Sequence, residues 1–120
     1  MSTYADQLHA VKARYPFPRW GKNYDRGMLR YSPANCAAMQ DAFDTLITDL
    51  IALGEHAPEA QKVAAFKTAI EATNVRNQGM IETGEREDLC DLTYHISVAA
   101  GLDPSKYGNG EGLASEWREW

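Results

Sequence analysis

Between Ser32 and Gly54 the apolar residues Cys36, Met39, Phe43, Leu46, Leu50 and Leu53 recur every three or four positions. That spacing lines one face of an α-helix and excludes a strand, whose side chains alternate every second residue. Ser32 is a good N-cap, and Pro33 occupies the first helical position, where its missing N–H costs nothing. Gly54 supplies the stop. A helix this long with one apolar stripe must be covered by other elements, and no segment of the chain alternates as a strand, so the expected cover is helical.

The remaining segments agree with that expectation. Tyr4, Leu8, Val11 and Tyr15 form a second stripe, with Ser2 placed to cap it and Pro16 and Pro18 to end it. Residues 15–31, YPFPRWGKNYDRGMLRY, show no period and read as a connection that Phe17, Trp20 and Tyr24 pin to the helices. A third stripe begins after Pro58 with Val63, Phe66 and Ile70, beside alanines at 60, 64, 65, 69 and 72 that permit close packing. Thr83 is placed to cap a further helix, whose first turn holds Glu85, Glu87 and Asp88, the sign that suits a helix N-terminus. Its inner stripe is Leu89, Leu92, Ile96 and Ala99, closed by Gly101, Leu102 and Pro104. After the loop YGNGEG, Leu113, Trp117 and Trp120 are spaced as one face of a short terminal helix. The expected architecture is all-α: one domain over residues 1–120, about a four-helix bundle with an aromatic-rich N-terminal connection and a short docked C-terminal helix.

Composition narrows the function classes. With 44% hydrophobic and 24% charged residues in 120, the chain is ordinary for a globular domain. No apolar run approaches the roughly 20 residues needed to cross a bilayer. The opening MSTYADQLHAVKAR lacks an apolar signal core, so a cytoplasmic protein with no membrane partner is expected. The net charge of -5 is divided unevenly, +4 over residues 1–30 and -9 over residues 31–120. An acidic body repels phosphates, which argues against nucleic acid. Either the basic leader docks onto the acidic body, or the body recruits a basic partner.

Little in the chain points to chemistry. There is no GxSxG, P-loop or GxGxxG motif, and Cys36 and Cys90 fall on or beside apolar stripes, as reduced core thiols do. Glu87, Asp91 and His95 share a helical face, and Asp88 and Asp91 lie one turn apart, a spacing that could hold Mg²⁺. The segment EDLCDLTYHISVAAGLD resembles the second metal-binding helix of all-α nucleotide pyrophosphohydrolases of the MazG type. That family also carries a glutamate cluster on an earlier helix, where this chain has only Asp41 and Asp44. The simpler reading is a solvated acidic helix start, with no metal, cofactor or catalytic residue.

Three longer runs, LRYSPANCAAM, IETGEREDLCDLTYHISVAAGLDP and the closing GEGLASEWREW, resemble a family of small all-helical bacterial proteins with a GEREDLC helix and a terminal EWREW. That family is associated with immunity partners of polymorphic or contact-delivered toxins. The resemblance implies a non-enzymatic cytoplasmic protein that binds and neutralises a cognate toxin. An acidic helix filling a basic toxin cleft would make Glu82, Glu85, Glu87, Asp88 and Asp91 the electrostatic surface. Trp117 is expected to lock the tail, while Trp120 serves either as a second lock or as an anchoring ring for the partner. The alternatives are the metal-dependent pyrophosphohydrolase and a small helical adaptor. A leftover apolar stripe would also permit a homodimer.

Overall fold

A computed structural model describes residues 3–77 and 79–120, among which there are helices and loops and no strand. Helix α1 (Tyr4–Ala10) runs into a 3-10 turn (Val11–Arg14), and α2 covers Phe17–Asp25. The long helices are α3 (Pro33–Leu53), α4 (Glu59–Arg76) and α5 (Thr83–Ala99), and α6 is one turn, Ala114–Trp117. Ser2, expected as the first cap, lies outside the described residues. Thr3 caps α1, its hydroxyl accepting the Asp6 N–H at 3.1 Å while the Asp6 carboxylate accepts the Thr3 N–H at 3.2 Å.

The strongest pattern produces the central element. Met39, Phe43, Ile47 and Leu50 on α3 are fully buried, and Ser32 accepts the Asn35 N–H at 3.2 Å. Gly54 ends the helix at φ 90°, a conformation that costs a residue with Cβ. The short connection folds α4 back along α3, and Phe66 and Ile70 close the core between them. α1 and α2 pack on α3, α6 packs on α4, and α5 packs on α1, the 3-10 turn and α6. α5 terminates as its sequence foretells: the Gly101 N–H reaches the Val98 carbonyl at 3.0 Å, and the Leu102 N–H reaches Ser97 at 2.9 Å.

Two expectations change. The connection at 15–31 contains a helix, because Pro18 sits in the first turn of α2, where proline removes no intrahelical hydrogen bond. Its Phe17 and Trp20 are buried as expected, with the rings edge-to-face at 5.3 Å. The tail helix ends earlier than its apolar spacing implies. Arg118 is extended at ψ 141°, so Trp120 reaches the core from outside the helix.

One interior contact has no counterpart in the sequence pattern. Lys62, in the first turns of α4, is 5% exposed. Its Nζ donates to the Glu55 carbonyl at 2.6 Å and to the Ala100 carbonyl at 2.8 Å, and lies 5.1 Å from the centre of the Tyr4 ring. One ammonium therefore ties the α3–α4 turn, the end of α5 and α1 together.

Candidate functional site

The acidic start of α5 is where the leader meets the body. Arg30, just ahead of α3, places Nη1 3.0 Å from Glu82 Oε2 and Nη2 3.3 Å from Glu85 Oε1. Glu85 is only 7% exposed and also accepts the Glu82 N–H at 3.2 Å. Glu82, one residue earlier than the expected Thr83, is thus the N-cap residue of α5. The Tyr31 hydroxyl, which accepts from Arg30 at 2.7 Å, is pushed above its ordinary pKa by burial and by the neighbouring Glu85 carboxylate.

One turn further on, a single oxygen of Asp88 accepts two bonds. The Trp20 indole N–H donates at 2.9 Å, and Arg19 Nη2 donates at 2.6 Å. On α3, Asp44 accepts the Tyr15 hydroxyl at 2.7 Å and lies 3.7 Å from Lys12 Nζ. Lys12, Arg19 and Arg30 all come from the basic leader. Of the two fates open to that segment, it adopts internal docking.

This placement divides the expected acidic surface. Glu85 is buried and bonded to Arg30, and Asp88 is half-buried and bonded to Trp20 and Arg19, so both are tied into the fold. Glu82 is exposed but paired with Arg30. Glu87 and Asp91 are exposed and, among the described residues, bond to no other helix, Asp91 Oδ1 lying 3.4 Å from His95 Nε2 on the same helix. Trp120 turns inward, as the lock on the tail would. It is 7% exposed, and its indole N–H donates to Thr73 Oγ1 at 2.9 Å. Asn74 fixes the strand of tail before it, donating to the Trp117 carbonyl and accepting the Glu119 N–H, both at 2.9 Å.

Two residues absent from the expected site complete its outer face. Tyr94 is 51% and Val98 52% exposed, one and two turns beyond Asp91. Positions 87, 91, 94 and 98 follow the helical step and lie opposite the buried Leu89, Leu92 and Ile96. The period was present in the sequence, but the inner stripe is the stronger signal, and a lone Tyr and Val outside it draw no attention.

The carboxylates considered for a metal do not gather. Asp88 is held by Trp20 and Arg19, Asp44 by Tyr15, and Asp91 faces outward. Among the described residues no three His, Cys, Asp or Glu side chains come close enough together to hold an ion. Cys36 is buried and Cys90 half-buried, both are free thiols, and burial pushes both above the ordinary thiol pKa. Among the described residues no helix is long and apolar enough to cross a membrane. Comparison with protein-family models, with curated proteins and with solved structures gives no match to the chain.

Proposed function

We propose that this chain is an immunity-type binding protein that neutralises a cognate protein toxin in the cell that makes both, and that it does so with the outer face of α5. The observation that carries the reading is the exposed ridge Glu87, Asp91, Tyr94 and Val98. Two carboxylates there precede an aromatic and an aliphatic side chain, each about half exposed. Carboxylates at one end steer a basic surface into register, and the ring and the valine exclude water once contact is made. The residues bonded to the leader, Glu82, Glu85 and Asp88, hold the ridge in place from beneath.

The reading is tested on the toxin domain encoded beside this gene, with binding followed in real time. Reversing both charges, Glu87→Lys with Asp91→Lys, lowers the association rate about tenfold at low salt and flattens its salt dependence. Tyr94→Ala raises the dissociation rate by about tenfold. Unchanged rates in both variants remove α5 from the interface. Recovery of no toxin from the native host shifts weight to the adaptor alternative.

A further inference from the structure

A second exposed surface lies on the layer formed by α3 and α4. The protein measures 45 × 32 × 19 Å, so its thinnest dimension holds two layers of helices. α1 and α2 cover one side of α3. On the other side runs an open groove between the two long helices, about 400 Å³ at the end lined by Asp49, Leu53 and Ala64. It continues along Thr45, Thr68 and Ala72 to Arg76. Leu53 is 36% exposed at its rim.

Two opposite charges mark the groove. Arg76 sits level with the start of α3, where its Nη1 donates to the Ala38 carbonyl at 2.9 Å. Asp49 lines the same stretch of groove from further along α3, its backbone eleven residues, about 16 Å of helical rise, beyond Ala38. Among the described residues neither has an ion-pair partner. They form no ion pair with each other. The arrangement suits a partner with the same two charges in reverse order, and a second copy of this chain is such a partner.

We infer that the α3–α4 groove is the interface of a symmetric homodimer. A two-fold axis in the interface, crossing the hairpin at the level of Thr45 and Ala72, exchanges its ends. Each Asp49 then meets Arg76 of the other copy, twice over, as an isologous contact requires. Small side chains at the axis let the helices approach closely, so the two hairpins form a four-helix layer. The size is adequate. α3 has 21 residues, so the hairpin face is about 30 Å long and about 20 Å wide, roughly 600 Å² per copy. The total, roughly 1,200 Å², lies at the lower edge of specific interfaces. This interface is independent of α5, and its loss leaves the toxin-binding reading untouched.

The test is sedimentation velocity on the full chain across the micromolar to millimolar range. Wild type is expected to pass from monomer to dimer. Asp49→Arg and Arg76→Asp should each weaken the dimer at least about tenfold, and the double exchange should recover most of the loss. Because Arg76 also contacts the Ala38 carbonyl, Thr45→Arg serves as a second probe: it is exposed in the monomer and blocks the axis. Circular dichroism confirms that each variant is folded. A wild type that stays monomeric throughout overturns the inference. So does a double exchange no tighter than the single variants, or a dimer indifferent to Thr45→Arg.

Discussion

Replacing Lys62 by methionine isolates the ammonium from its stem, since both side chains are unbranched and of similar length. The packing of the methylenes survives, while the donor to the Glu55 and Ala100 carbonyls is lost. Ala100 is fully buried at the end of α5, so its carbonyl has no ready access to water. Leaving such an acceptor unpaired costs about 1–3 kcal/mol, and removing a cation from a partly buried helix C-terminus costs up to about 2 kcal/mol more. The lost contact with the Tyr4 ring adds about 0.5–1 kcal/mol, and relief from burying a charge offsets part of the sum. The expected net destabilisation is about 2–4 kcal/mol, or roughly 8–16 °C in Tm for a chain of this size. Urea unfolding followed by circular dichroism and tryptophan fluorescence measures it, and an unchanged m-value shows that only stability has moved. Lys67→Met, exposed on the same helix, is the control and should change stability by less than about 0.5 kcal/mol. Equal effects at the two lysines would refute the idea that one ammonium joins α1, α4 and α5.

Two further predictions follow from the hydrogen bonds of the leader and the last loop. Asp88→Ala strips the acceptor from the Trp20 indole, whose residue is 2% exposed, and should cost about 1–3 kcal/mol with a shift in tryptophan emission. A variant as stable as wild type would show that the leader is held by its apolar rings alone. Burial pushes the Tyr107 hydroxyl up to about 12, helped by the Glu59 carboxylate to which it donates. In the unfolded chain tyrosine ionises near pH 10, so this contribution is whole below about pH 10 and is lost as the pH climbs through 12. Thermal melts at rising pH should therefore fall more gently for Tyr107→Phe than for wild type, and identical slopes would exclude the contact as a source.

How far the sequence discloses the structure depends on whether a residue acts along its own helix or across to another. The α3 stripe, its Ser32 cap and its Gly54 stop are local, and so is the Schellman ending at Gly101; all are readable from spacing. α2 was concealed because prolines at 16 and 18 suggest a break, although a proline in a first turn is harmless. The docking of the leader was legible as a charge imbalance, but the pairing of Arg30 with Glu82 and Glu85 depends on chain segments more than fifty residues apart. Lys62 carried no signal at all, since a lysine four residues into a helix is ordinarily solvated. Trp120 sat at a helical spacing from Trp117, yet the chain turns extended at Arg118 and delivers the ring to Thr73.

The two sides of α5 also differ in how freely they can change. Glu85 and Asp88 are bound into the leader, so a substitution there loosens the fold. Glu87, Asp91, Tyr94 and Val98 are exposed, and surface replacements at such positions usually alter stability by only about 0.5 kcal/mol. The outer ridge can therefore be rewritten one residue at a time, while the inner face keeps the helix where it was.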